Sequence, residues 1–276
     1  MPGEINSTLH NFNYKGFKYV YPVVSRRLGG LSVGINLVNY CNWDCVYCDA
    51  PKDAVTDARY HPVDLQKLRQ ELDIILGKIQ KGELAESRVQ LKSITVAGNG
   101  EPTLCNELGE AFKIIGELRK KYSIGNGIKT LLITNGSCLG FEKVQDEIRV
   151  LSTIGGEVWF KIDSIIESSI LKINRSRVNT VEVMRSIEKI SIICPLYIQT
   201  CFFKLNNQLP TEAETFEYIC FLASVKSFIK GVYLYTASRK PFATEGEFTV
   251  EPASLEYLEK LNSRILQLGI ESKFFI

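Results

Sequence analysis

The feature that most constrains the fold of this 276-residue chain is the alternation of two periodicities along it. Short runs rich in β-branched and aliphatic residues read as strands: Leu31–Leu37, Ser93–Ala97, Thr130–Thr134, Val158–Ile162, Leu196–Phe203 and Gly231–Tyr235. Between and after them, Asp64–Ile79, Glu107–Lys121, Phe141–Leu151, Val178–Ile190, Thr211–Phe228 and Leu255–Leu268 carry apolar residues three and four apart, the spacing of one helix face. Thr211 with Glu214 fits a capping box, in which hydroxyl and carboxylate satisfy free amides of the first turn. A strand that returns to the same sheet through a helix does so by a right-handed crossover, so the repeat predicts an α/β fold with a parallel sheet. Periodicity leaves open whether that sheet is flat or curled into a barrel. No repeat, low-complexity tract or linker divides residues 31–276, which are read as one unit, with residues 1–30 as a short N-terminal extension packed on it.

A content of 45% hydrophobic and 23% charged residues provides for a large core and excludes a disordered or coiled-coil chain. The net charge of +2 neither demands nor forbids a polyanionic partner. No apolar run approaches the roughly 18 residues of a membrane span, and residues 1–13 have no basic leader followed by an apolar segment. A soluble, cytoplasmic protein without a membrane partner is expected. Of eight cysteines, Cys41, Cys45 and Cys48 fall within eight positions. In a large chain of this kind such a cluster points to metal or catalysis rather than to a disulfide framework. The isolated Cys105, Cys138, Cys194, Cys201 and Cys220 are expected as small buried hydrophobes, since no two lie at ligand spacing.

Parallel α/β folds hold ligands beyond the carboxyl ends of their strands, so the residues following each strand deserve the closest reading. After the first strand, the C-x3-C-x2-C spacing of Cys41, Cys45 and Cys48 puts three thiolates on one loop. Three ligands leave either a zinc ion or one iron of a cubane without its last protein ligand. A zinc staple would take His61 as the fourth ligand, but the paired knuckles typical of structural zinc are absent, which favours an iron–sulfur cluster with an open iron. After the second strand, Gly98-Asn99-Gly100-Glu101-Pro102 presents one carboxylate on a turn whose glycines permit close backbone approach. Lys161 and Asp163 share one strand face as ligand groups or as an ion pair, and Asn135 follows the third strand. Arg239 and Lys240 after the sixth strand, like Arg26 and Arg27, could grip a carboxylate or phosphate.

Cys41, Cys45 and Cys48, with Tyr47 just before the last cysteine, resemble the C-x3-C-x-aromatic-C signature of radical S-adenosylmethionine (radical SAM) enzymes. Gly100-Glu101-Pro102 is similar to that family's Gly-Gly-Glu turn, and Leu132-Ile133-Thr134-Asn135-Gly136 to its third strand end. Ser25-Arg26-Arg27-Leu28-Gly29 and the stretch from Gly231 to Pro241 resemble a wyosine-synthetase-like branch. Asn99 stands where most relatives carry glycine, a variant similar to one in radical RNA methyltransferases. The resemblance implies a TIM-barrel-like partial (β/α)6 barrel, a [4Fe–4S] cluster on the three cysteines, and S-adenosylmethionine as cosubstrate. It further implies reductive cleavage of S-adenosylmethionine, hydrogen abstraction from an unidentified substrate, and an external electron donor of the flavodoxin or ferredoxin type. By the same analogy, Gly98, Asn99, Gly100 and Glu101 would surround the methionine amino group and Tyr47 would lie near the adenine. Asn135, Lys161, Asp163 and Gln199 would line the cofactor or substrate side. The substrate class it favours is RNA, tRNA in particular, contacted by a patch of Lys15, Lys18, Arg26, Arg27, Arg239 and Lys240. Two other classes stand beside it: a radical activase or maturase of a partner protein or peptide, and a zinc-stapled binding module without catalysis.

Overall fold

The computed structural model describes residues 14–25, 27–50, 62–84, 89–237, 241 and 248–276. Arg26, His61, Arg239 and Lys240 therefore lie outside the described residues. The strands are β1 (Val20–Ser25), β2 (Gly30–Ile35), β3 (Leu91–Val96), β4 (Lys129–Thr134), β5 (Gly156–Lys161), β6 (Leu196–Cys201), β7 (Phe203–Leu205), β8 (Gly231–Tyr235), β9 (Val250–Pro252) and β10 (Ser272–Phe275). The helices are α1 (Leu65–Gln80), α2 (Leu108–Lys121), α3 (Glu142–Thr153), α4 (Glu167–Asn174), α5 (Thr180–Ile193), α6 (Glu212–Val225) and α7 (Leu255–Gln267). The strand runs read from the sequence become β2, β3, β4, β5, β6 and β8.

One sheet runs in the order β1-β2-β3-β4-β5-β6-β8-β10, with β1 antiparallel to β2 and every other pair parallel. Both edge strands went unread in the sequence. β1 belongs to the stretch expected as an extension, yet it joins the sheet, and its Pro22 is tolerated because the strand is at an edge. The buried carboxylate of Glu71 on α1 anchors its approach by accepting from the backbone amides of Lys18, Tyr19 and Val20 at 2.8, 2.8 and 3.2 Å. The run Leu196–Phe203 divides after Cys201, and β7 leaves the main sheet to pair with β9.

Side-chain alternation sorts each parallel strand into two faces. On the convex side Ile94, Val96, Leu132, Val158, Ile198, Val232 and Leu234 are wholly buried in the core beneath the helices. On the concave side residues from all eight strands line a single cavity of about 310 Å³, from Tyr21 on β1 to Phe275 on β10. The sheet is thus curled but unclosed, since β1 and β10 are its two ends. That settles flat against curled in favour of the partial barrel. Part of the concave wall is aromatic: Tyr197 stacks on Tyr233 with centroids 5.1 Å apart, and Trp159 lies 4.7 Å from Tyr233.

Candidate functional site

The loop after β2 carries the three cysteines, and the C-terminal end of α4 with its cap Arg175 holds it in place. The amides of Asp44 and Val46 donate to the carbonyls of Asn174 and Ile173 at 3.2 and 2.8 Å, and Arg175 pairs with Asp44 at 2.8 Å. Val46 and Tyr47 point inward onto Cys201, Phe203 and Leu205. Cys41, Cys45 and Cys48 remain free, half-buried thiols lining the cavity.

Polar N–H groups are aimed at these sulfurs. The amide of Trp43 donates to Cys41 at 3.4 Å, Asn135 Nδ2 reaches the same sulfur at 3.7 Å, and Asn174 Nδ2 donates to Cys45 at 3.2 Å. Burial nevertheless pushes the thiol of Cys41 up to about 11 and that of Cys45 to about 12, and raises that of Cys48. Thiolates here need a cationic group to stabilise them, and metal binding supplies one while displacing protons. Soft sulfur ligands with N–H donors directed at them are the donor set of an iron–sulfur cluster, which these residues fit. Among the described residues no three His, Cys, Asp or Glu are grouped to hold a single metal ion.

The Gly98–Glu101 turn after β3 packs on the backbone of the cysteine loop. A Cβ on Gly100 would stand 2.2 Å from the carbonyl oxygen of Tyr40, so only glycine permits the approach, and Gly98 holds a φ of +137° beside Asn36. Asn36 Oδ1 accepts from the Asn99 amide at 2.9 Å. Glu101 is almost wholly buried. Its Oε1 accepts from the Thr103 amide and from the hydroxyls of Thr103 and Thr134, and its Oε2 accepts from the Asn135 amide at 2.7 Å. Burial raises its pKa, and these donors oppose the rise. Asn135 in turn donates to Asn42 on the cysteine loop at 3.0 Å.

A second network backs the loop. Lys161 donates to the Tyr47 hydroxyl at 2.7 Å, and that hydroxyl donates to Asp163 Oδ2 at 2.5 Å. Asp163 also accepts from Asn174 and from the Cys201 amide at 2.9 and 3.0 Å. Burial works against the charge on Lys161, but Tyr235 and Asp163 hold its pKa well above the ordinary value. Lys161 and Asp163 are therefore joined through Tyr47, and Asp163 sits behind the cavity wall rather than on it.

The cavity gathers Cys41, Cys45, Cys48, Tyr47, Gly98, Asn99, Gly100, Glu101, Asn135, Lys161 and Gln199. The sequence reading missed Asn36, Asn42, Thr134 and Asn174. A polar residue at a strand end could have flagged Asn36 and Thr134, and the place of Asn42 between the first two cysteines could have flagged it, whereas Asn174 is brought to the site only by α4. Cys105, Cys138, Cys194 and Cys201 are buried as expected, while Cys220 is exposed on α6. Of the expected phosphate patch, Lys15 and Lys18 precede β1 and Arg27 follows it, while Arg26, Arg239 and Lys240 lie outside the described residues.

Residues 35–204, more than half of the chain, match the model of the Radical SAM superfamily. The chain belongs to that superfamily. Its enzymes use a [4Fe–4S] cluster and S-adenosylmethionine, so the enzyme class and cofactor pair expected from the cysteine loop are those of the family. A UPF0026 protein of Helicobacter pylori is 29% identical over 147 residues, covering 52% of this chain and 42% of that protein. The match thus takes in less than half of the relative's length. Among solved structures, Streptococcus suis SuiB bound to S-adenosylmethionine superposes with a TM-score of 0.58 at 15% identity, covering 87% of this chain and 49% of SuiB. TYW1 with a lysine-pyruvate adduct bound gives 0.56 at 15% identity, covering 86% and 73%. At such identities the likeness is one of fold.

Proposed function

We propose that this protein cleaves S-adenosylmethionine reductively and abstracts hydrogen from a substrate admitted to the concave cavity. The observation that carries the reading is the convergence on that cavity of the three-cysteine loop, the Gly98–Glu101 turn and Asn135, from three successive strand ends. When bound, cluster and cosubstrate would supply one-electron cleavage of a sulfonium carbon–sulfur bond. Cys41, Cys45 and Cys48 would hold the cluster. Gly98, Asn99, Gly100 and Glu101 would face the methionine amino group, for which Glu101 Oε2 keeps accepting capacity beyond its bond to Asn135. Tyr47, with its hydroxyl engaged and its ring 5.2 Å from Phe203, would position the loop and flank the adenine. Asn135, Lys161 and Gln199 would form the wall, with Asp163 orienting Tyr47. An electron donor of the flavodoxin or ferredoxin type would complete the cycle in the cytoplasm, and among the described residues no helix is long and apolar enough to cross a membrane.

Anaerobic reconstitution tests this directly. Wild-type protein should bind about four irons and release 5′-deoxyadenosine with dithionite. Glu101→Ala and Asn135→Ala should slow that release at least tenfold with iron content retained, and cleavage at wild-type rates in both would sink the assignment of the turn. For the substrate, tRNA remains the reading that the wyosine-like sequence features favour. Phosphate-dominated binding must weaken steeply with salt, so tRNA affinity that is absent at low salt moves the substrate to a small molecule or peptide.

A further inference from the structure

The concave wall beside the cysteine loop, where Lys161 reaches Tyr47, carries positive charge and an unused amide. Arg27 leaves the β1–β2 turn and lays its guanidinium over the ring of Tyr235, with Cζ 4.2 Å from the centroid. Among the described residues no carboxylate pairs with it, and stacking on a ring face leaves the guanidinium's N–H donors free in its own plane. Lys161 Nζ stands 5.9 Å from the same ring and has two N–H groups beyond the one given to Tyr47. Between these strands lies Gln199, in register with Lys161 on β5 and with Tyr233 on β8. It is wholly buried, it lines the cavity, and neither its Oε1 nor its Nε2 has a hydrogen-bond partner among the described residues. A buried primary amide left unmatched is costly, and one that faces a cavity is poised for a ligand. Glu101, the buried carboxylate of the same cavity, is already held by Thr103, Thr134 and Asn135.

We propose that Arg27, Lys161 and Gln199 form an oxyanion subsite that seats a carboxylate or phosphate group of the substrate. The word substrate rests on the reading given above; the site itself rests on the wall. Two cations accept the charge, Arg27 supplies paired donors that match either oxyanion, and the Gln199 amide orients the group or its neighbour.

The test is calorimetric titration of the reconstituted full-length chain with inorganic phosphate and, separately, with succinate, each with and without saturating S-adenosylmethionine. At least one anion should bind while the cosubstrate is present, and the stronger of the two names the source. Arg27→Gln should weaken that binding at least tenfold. Gln199→Leu should weaken it severalfold without lowering the melting temperature, because no hydrogen bond to the described residues is lost. The subsite is overturned if neither anion binds, if Arg27→Gln binds as wild type, or if S-adenosylmethionine displaces both anions competitively, which would assign these groups to the cosubstrate's own carboxylate. A Gln199→Leu chain that unfolds removes the amide from the subsite. Release of 5′-deoxyadenosine by the wild type is scored separately: its absence with anion binding intact defeats the proposed reaction and spares the subsite, and the converse result does the reverse.

Discussion

The two faces of the curled sheet are built from the same strands and answer to different demands. On the convex face Val96, Leu132, Val158 and Ile198 are aliphatic and fully buried, because helices close over them and any polar group there would lose its water. On the concave face the alternate positions hold Ser32, Ser93, Thr95, Lys161, Gln199 and Tyr235. Some of these satisfy one another: the hydroxyl of Ser93 lies 2.7 Å from that of Ser32 and 2.9 Å from that of Thr95. Gln199, by contrast, has no hydrogen-bond partner for either side-chain polar atom among the described residues. One face packs against the helices and the other lines the cavity, so substitutions should separate stability from activity according to the face they strike.

The largest expected effect is on the cavity side. Cys45→Ala should abolish iron binding and cut 5′-deoxyadenosine formation more than a hundredfold, as read by iron analysis and product chromatography, whereas loss of one buried thiol on the other side, Cys194→Ala, should leave the iron content unchanged. Retained iron in the first variant would break the comparison. Next, Ile198→Ala on the convex face should cost about 3 kcal/mol of unfolding free energy in a urea titration, with cleavage per folded molecule within about twofold of wild type. Equal losses of stability and specific activity would show that the faces are coupled.

The smallest effect sharpens the comparison at a polar exception within the outer layers. Glu147 on α3 is buried with Oε2 unpartnered, and burial lifts its pKa to about 7, with Lys143 opposing the rise. Glu101, by contrast, has four donors. Because the folded pKa of Glu147 lies above its unfolded value, its protonated form favours folding. Its contribution is present in full below about pH 4.5 and is lost as pH rises through 7. Wild-type protein should therefore lose about 1–2 kcal/mol between pH 5 and pH 8 that Glu147→Gln does not lose, as measured by denaturant midpoints across that range.

Much of this arrangement was legible in the sequence wherever the cause is local. The capping box forms as read: the Thr211 amide donates to Glu214 at 2.7 Å, and the Glu214 amide donates to Thr211 Oγ1 at 3.2 Å. The helix read from Asp64 starts at Leu65, with Asp64 as its cap. The cysteine spacing and the polar residues after β2, β3 and β4 marked side chains that line the cavity, since ligands of parallel α/β folds sit beyond the strand ends. β10 was missed because it has only four residues, whereas β1, as long as the strands that were read, is interrupted by Pro22, and sequence periodicity does not reveal pairing at a sheet edge. Leu196–Phe203 was read as one strand because nothing in its composition marks the point where the chain leaves the sheet.

The sequence by itself determined the loop chemistry and the face each strand residue takes, because cysteine spacing and the two-residue side-chain period are properties of adjacent covalent bonds. Only the tertiary structure decided which distant groups meet. Asn174 reaches Cys45 across 129 positions, Tyr47 joins Lys161 to Asp163 from over 110 positions away, and Arg27 lies over Tyr235. Those encounters follow from the curvature that brings loops and side chains from both edges of an open sheet around one cavity. Such curvature is a collective result of strand twist and helix packing that no short stretch of chain encodes.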